Sequence, residues 1–134
     1  MKYMLDTSIC VFLIRNKPGH VLEKLHTNIE NGIAISTIVL AELEFGVEAS
    51  AFHDQATDAL RRFLSFVSIL RFDNAAAAEY GKIRAALQKR GTPIGPMDTL
   101  IAAHAISEKL TLVTNNVREF KRVEGLSIVN WAVP

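Results

Sequence analysis

A single cysteine, Cys10, excludes an intrachain disulfide framework; it lies in an apolar segment, where a buried, inert thiol is expected. A reducing cytoplasm is the natural setting for such a chain. No apolar run is long and clean enough to span a bilayer. The longest carries Glu42 and Glu44, and the apolar N-terminus is interrupted at Asp6 before it reaches signal-peptide length. Neither sign of charge dominates: 15 basic and 14 acidic side chains leave a formal net charge of +1, so any contact with a polyanion must come from local basic patches. The four histidines, at positions 20, 26, 53 and 104, share no ligand spacing, which argues against zinc. There is no glycine-rich phosphate loop, serine nucleophile elbow or cysteine pair. With no repeat, low-complexity tract or Pro/Ser-rich linker, residues 1–134 read as one domain, long enough to bury roughly two thirds of its unfolded surface.

What is present is apolar. Hydrophobic residues make up 49% of the chain, at the upper edge for a soluble domain, which hints at apolar surface covered by a partner. Short apolar runs at 2–5, 33–35, 67–70, 110–113 and 126–129 are bounded by polar residues or glycine, as buried strands are. Between them lie segments of helical period: 8–15, 19–27 with Pro18 starting it, 37–50, 54–66, 74–90 ending at Gly91, 98–108, and a short helix through Phe120. Ala75, Ala78, Ile83, Ala86 and Leu87 share one stripe of the 74–90 helix, and Ile38, Glu42 and Phe45 share a face of the 37–50 helix. Strands alternating with helical crossovers predict a mostly parallel sheet covered on both faces, a three-layer α/β/α sandwich. Ligands in such folds bind beyond the carboxyl ends of the strands. Asp6 and Thr114-Asn115-Asn116 follow strands, and Asp98 stands where turn residues hand over to a helix.

Three acids stand out against their apolar surroundings. Asp6 closes Tyr3-Met4-Leu5, Glu42 interrupts the stretch from Ile33 to Phe45, and Asp98 follows Pro93-Ile94-Gly95-Pro96-Met97. Each has a plain structural role open to it: Asp6 as the N-cap of the next helix, Glu42 in a buried salt bridge with an arginine, Asp98 as a first-turn acid favoured by the helix dipole. They are 36 and then 56 residues apart, so no local element explains all three. If the fold gathers them, repulsion of roughly 1 kcal/mol per pair at about 4 Å in water, and several times that in a partly buried cleft, calls for a cation. A hard divalent ion, Mg²⁺ first, meets that need. Asn116 and Glu119 have the spacing of a capping box and lie near the same edge. Thr7, Ser8, Thr114 and Asn115 are candidates to hold substrate phosphate or a ligated water. Lys82, Arg84, Lys89 and Arg90, and a second group of Arg118, Lys121 and Arg122, are solvated faces or a track for a phosphate backbone.

The segments Met4-Leu5-Asp6-Thr7-Ser8, Ile35-Ser36 through Ala41-Glu42-Leu43-Glu44-Phe45-Gly46, Pro96-Met97-Asp98-Thr99-Leu100-Ile101-Ala102-Ala103-His104-Ala105 and Val113-Thr114-Asn115-Asn116 to Glu119-Phe120 resemble the PIN-domain family. More closely they resemble the VapC toxins of bacterial VapBC toxin-antitoxin modules, over essentially the whole chain. The resemblance implies a Mg²⁺- or Mn²⁺-dependent endoribonuclease, usually dimeric, in which Asp6, Glu42 and Asp98 match the acidic metal ligands and a metal-activated water attacks phosphorus in line. It also implies a VapB antitoxin whose C-terminal segment blocks the active-site groove, the complex then binding its own promoter DNA. Members with this Thr-Asn-Asn tail imply initiator tRNA, cut in the anticodon loop, as substrate. Many PIN domains have an aspartate at the position matching Asn116 and a second acid two residues on. Here the next acid is Glu119 at three, leaving the fourth ligand open between them. Two other readings remain open: a PIN-like module that binds RNA or protein without cutting, and a phospho-acceptor at Asp6, for which Ser8 stands where a second aspartate is wanted.

Overall fold

The central strands are short because they are buried and need only a few apolar residues to cross the core, whereas the edge strand at 68–70 leaves Ile69 42% exposed. The computed structural model describes residues 1–15 and 19–133. Five strands, β1 (Tyr3–Leu5), β2 (Ile33–Ser36), β3 (Ser68–Leu70), β4 (Thr111–Val113) and β5 (Ile128–Val129), form one sheet in the order β3-β2-β1-β4-β5. Every pairing is parallel, with Tyr3 opposite both Ile33 and Thr111. Met4, Leu5, Ala34, Ile35, Leu112 and Val113 are wholly buried at the centre of the sheet, the burial expected of strands with helices on both faces. Among the described residues seven helices flank the sheet: α1 (Thr7–Ile14), α2 (His20–Asn28), α3 (Thr37–Glu48), α4 (His53–Leu64), α5 (Asn74–Lys89), α6 (Pro96–Ser107) and α7 (Val117–Phe120). A 3₁₀ turn at Ile29–Asn31 precedes β2. The result is the anticipated α/β/α sandwich, with the sheet entirely rather than mostly parallel.

The chain places β1 centrally, builds β2 and β3 to one side, then crosses to β4 and β5 on the other. The crevice beyond the carboxyl ends of β1 and β4 is therefore the topological switch point, where open parallel sheets bind ligands. Asp6 follows β1 and Thr114 follows β4, and the Asp6 amide donates to the Val113 carbonyl at 3.0 Å, stitching the two strand ends together.

Boundaries fall within two residues of those read from the pattern, and the differences have local causes. Helix α6 starts at Pro96, two residues before Asp98, because proline at the first helical position needs no amide partner. Helix α5 ends where Gly91 takes φ +71°, a left-handed turn that glycine adopts without strain. The suggestion that Pro18 starts α2 falls outside the described residues. Two predicted helix faces are wrong. On α3 the core stripe is Val39, Leu43 and Val47, while Phe45 is 72% exposed and Glu42 sits at the margin of that stripe. On α5 the buried residues are Ala76, Ile83 and Leu87, with Ala75, Ala78 and Ala86 exposed. Alanine covers so little area that it does not choose between faces, and the large side chains Ile83 and Leu87 set the orientation of α5. Cys10 is wholly buried and its thiol is pushed well above the ordinary range by burial, then by Asp6. No helix among the described residues is long and apolar enough to cross a membrane.

Candidate active site at the carboxyl edge of the sheet

Asp6, Thr7, Ser8, Glu42, Asp98, Asn115 and Asn116 line one open cleft of about 430 Å³ at the switch point. Four separate segments deliver them: the start of α1, the middle of α3, the first turn of α6 and the loop after β4. The fold thus gathers the three acids that the sequence holds far apart.

Asp6 combines a capping role with a place in the cleft. It is the N-cap of α1, accepting from the Ile9 amide at 3.0 Å, and it also accepts from the Ser8 hydroxyl at 3.0 Å and from the Thr114 hydroxyl. Only 4% of it is exposed. Burial raises its pKa first of all, and the nearby charge of Glu42 adds to that, while the bonds from Thr114, Ile9 and Ser8 pull the other way. Among the described residues Glu42 has no arginine partner. Its Oε1 accepts from the Thr7 hydroxyl at 2.6 Å, so the expected alternative of a buried salt bridge is replaced by a hydroxyl on the neighbouring helix. Asp98 differs from both, since its carboxylate accepts no protein hydrogen bond among the described residues. Its pKa is raised to about 6 by burial first, then by the charges of Glu119, Asp6 and Glu42.

Asn116 and Glu119 do not form the capping box their spacing suggests. The Asn116 amide N–H is taken by the Thr114 hydroxyl at 2.9 Å, and the Asn116 side chain donates to Glu119 Oε2 at 2.8 Å. Glu119 Oε1 instead accepts from the Gly95 amide at 2.8 Å, across to the start of α6. That bond first, and the one from Asn116 second, hold the Glu119 carboxyl below its ordinary range. Thr114 is wholly buried and Ser8 also donates to Asn115 Oδ1 at 3.0 Å, so the loop after β4 is fastened to α1.

The basic residues lie elsewhere. Lys82 pairs with Glu79 at 3.6 Å, Arg84 is held on the Tyr80 hydroxyl at 3.0 Å, and neither they nor Lys89 or Arg118 line the acid cleft. Among the described residues, the cleft has no cationic side chain of its own. A feature the sequence did not reveal is a second cavity of about 420 Å³ between α1, α3 and α4, lined by Val11, Ile14, Leu43, Val47 and Leu60. It opens beside the first cleft, sharing Thr7 and Glu42 with it. Its apolar walls come from three helices, so no single stretch of sequence marks it.

A set of carboxylate oxygens from buried Asp6 and half-buried Glu42 and Asp98, without a lysine or arginine in the cleft among the described residues, suits a hard divalent cation. Among the described residues, no three acid, histidine or cysteine side chains are grouped tightly enough to hold one ion directly. Mg²⁺ fits such a site because it keeps several of its waters and binds through one or two carboxylates at a time. Asp98, its pKa raised by burial first and then by its acidic neighbours, and bonded to no donor among the described residues, is the group that such a charge would satisfy.

Comparison with known proteins gives the family. The PIN domain model matches residues 3–126. The tRNA(fMet)-specific endonuclease VapC of Shigella flexneri is 44% identical over 132 residues, covering 98% of this chain and 99% of that protein. Ribonuclease VapC2 of Rickettsia felis is 46% identical over 132 residues, covering 98% of each. Among solved structures, VapBC2 from Rickettsia felis bound to a promoter DNA fragment superposes with a TM-score of 0.93 at 45% identity, covering 98% of this chain and 99% of that one. DNA-bound VapBC from Salmonella typhimurium gives a TM-score of 0.93 at 44% identity, covering 98% of both. A match over nearly the whole length, in sequence and in fold, means that this chain belongs to the PIN domain family, among its VapC members.

Proposed function

We propose that this protein is the toxin of a VapBC-type module: a single-domain, cytoplasmic endoribonuclease that requires Mg²⁺ or Mn²⁺, cuts tRNA, and is neutralised by a VapB-type antitoxin. The endoribonuclease activity follows its VapC relatives. Initiator tRNA, cut in the anticodon loop, is the leading substrate, after the tRNA(fMet)-specific relatives that share 44% of its residues. The observation that carries the metal-dependent reading is the convergence of Asp6, Glu42 and Asp98 on one cleft that, among the described residues, contains no protein cation.

In this reading Asp6, Glu42 and Asp98 would hold the metal between them, one or two directly and the rest through its waters. When bound, it would neutralise the acids, lower the pKa of an attacking water and offset charge developing on the scissile phosphate. The protein's own part is positioning. Thr114, Ser8 and the Ile9 amide fix the Asp6 carboxylate, leaving it no rotational freedom to lose on binding. Thr7 fixes Glu42 in the same way. Asn115 and Asn116 present amide groups at the rim, where they can donate to a phosphate or a ligated water. Lys82, Arg84, Lys89 and Arg118 lie outside the cleft and serve the more distant RNA backbone, by charge rather than by contact with the reacting atoms.

Several structure neighbours are VapBC complexes, two of them holding DNA. By that likeness this chain pairs with an antitoxin, forms a homodimer and reaches promoter DNA only through the complex. The apolar cavity beside the acid cleft is suited to receive the antitoxin segment that blocks the site.

The test is to incubate the purified protein with a total tRNA pool, with and without Mg²⁺, and to map fragment ends. Fragments that appear only with the metal and vanish in D6A are expected. Cleavage that survives both chelator and D6A would remove the metal-dependent reading, and tight RNA binding without fragments would favour a non-catalytic module.

A further inference from the structure

Helix α6 carries Asp98 in its first turn, and the identity of its neighbours there is unusual. The N-cap is Gly95, which has no side chain to cap the helix, and Pro96 follows at the first helical position. Counting from Gly95, Asp98 is the third helical residue. An acid at that position commonly folds back to accept from the backbone amide of the N-cap residue, closing a capping box. Asp98 stands beside that residue: its Oδ2 lies 3.9 Å from the place a side chain on Gly95 would begin. It does not, because the Gly95 amide is already taken. Glu119, 24 residues downstream on α7, accepts that hydrogen bond at 2.8 Å, and its other carboxylate oxygen is held by the Asn116 side chain at 2.8 Å.

We infer that Glu119 is a positioning residue: by occupying the Gly95 amide it caps α6 in place of Asp98 and keeps the Asp98 carboxylate turned into the cleft. This rests on reading Asp98 as a metal ligand, and it assigns Glu119 a role other than that of fourth ligand. Both oxygens of Glu119 are spent on N–H donors, at Gly95 and Asn116, which leaves the carboxylate directed at the backbone of α6 rather than at the centre of the cleft. Glu119 is absent from the residues lining that cleft, whereas Asn116 is present. The negative charge also sits at the amino end of a twelve-residue helix, where the helix dipole favours an anion. Sequence spacing alone suggests the local capping box of α7, so the longer-range bond to Gly95 emerges only from the fold.

The discriminating property is that the cap needs an oxygen acceptor at position 119, whereas a metal ligand needs the charge. In E119A the Gly95 amide is released and Asp98 falls back onto it; Mn²⁺ affinity, followed by electron paramagnetic resonance on the full-length protein, is expected to drop at least tenfold, and kcat with it. In E119Q the amide oxygen still accepts from Gly95, so most of that loss is recovered and Mn²⁺ binds within threefold of the parent. A crystal structure of E119A should show the Asp98 carboxylate on the Gly95 amide. Equal losses in E119A and E119Q, unchanged Mn²⁺ affinity in E119A, or an Asp98 carboxylate that stays in place without Glu119 would each overturn the inference. Should E119A not fold, E119Q decides alone: a loss of more than threefold in Mn²⁺ affinity counts against the cap. Failure of the nuclease reading shows up separately, as tRNA cleavage that D6A leaves intact, and the E119A crystal structure still tests the cap in that event.

Discussion

The two ends of helix α6 are built from opposite principles. Its first turn holds Asp98, partly buried beside other acids and bonded to no donor among the described residues, with its pKa raised to about 6. Its last turns hold His104, wholly buried, whose Nδ1 pairs with Ser36 Oγ at 2.7 Å and whose ring meets Phe72 edge-on at 5.5 Å. Ser36 in turn caps α3, accepting from the Ile38 amide at 3.0 Å. So the histidine joins α6 to the helix that carries Glu42, and burial holds it neutral, its pKa below the ordinary value. One end keeps a charge exposed to whatever enters the cleft; the other removes a titratable group from water to fix two helices together. Function and rigidity are separated by about two turns of a single helix.

The largest effect should come from the first turn. D98N, like D6A, is expected to lower tRNA cleavage by roughly three orders of magnitude, as removal of a group acting through a metal commonly does. The fold should be intact by circular dichroism. A D98N protein that cuts within tenfold of the parent would show that the exposed charge is not what this end of the helix is for.

Next in size is the other end. H104A deletes a packed ring and leaves Ser36 without its partner, and should cost about 3 kcal/mol of stability, read as a lower urea midpoint at unchanged slope. Below its melting range the variant should retain most of its cleavage activity, since neither His104 nor its partners Ser36 and Phe72 line the cleft. Activity lost in step with D98N, but without loss of stability, would place His104 in the chemistry and erase the contrast.

How far these two ends were readable beforehand differs for a physical reason. Asp98 was legible because an acid directly after Gly95-Pro96-Met97 and before an apolar helix breaks a pattern. The strands and helices were legible for the same kind of reason, since the period of apolar residues changes from run to run. His104 was set aside because its partner, Ser36, comes from β2, 68 residues earlier, and no spacing rule connects them. Glu42 was noticed for sharing a face with Phe45, which proved to be the wrong face; the hydroxyl that holds it belongs to Thr7 on another helix. The bond from Gly95 to Glu119 was hidden behind a nearer explanation, the capping box with Asn116. Contacts within an element leave a period in the sequence. Contacts between elements leave none.

Opposite responses to pH sharpen the comparison further. The folded-state pKa of Asp98 lies above its unfolded value of 3.8, so the folded chain holds that proton to higher pH and stability is lost as pH rises from about 4 through about 6. Because the group is partly solvated, the cost by pH 7.5 is discounted to about 1 kcal/mol. His104 runs the other way. Its folded value is below 6.5, so stability is lost as pH falls through 6.5 and the unfolded chain takes up the proton first. In metal-free protein, D98N should therefore melt higher than the parent at pH 7.5 and equally at pH 4, and added Mg²⁺ should stabilise the parent but not D98N. A parent that melts at the same temperature across this range, with and without Mg²⁺, would mean that the charge on Asp98 is already answered within the protein.

The smallest expected change tests whether the first turn belongs to the core at all. Met97, beside Asp98, is 39% exposed, whereas Ile101, one turn on, is 1% exposed. If the amino end of α6 is reserved for the cleft, its apolar side chains contribute little to folding, and M97A should shift stability by less than about 0.5 kcal/mol, as surface truncations usually do. I101A removes comparable apolar volume from the packed segment and should cost about 3 kcal/mol. Paired melting curves at pH 5, where Asp98 is largely protonated, separate packing from charge. Should M97A lose as much as I101A, the first turn is held by packing after all, and the freedom of Asp98 would have to be explained by the Glu119 cap alone.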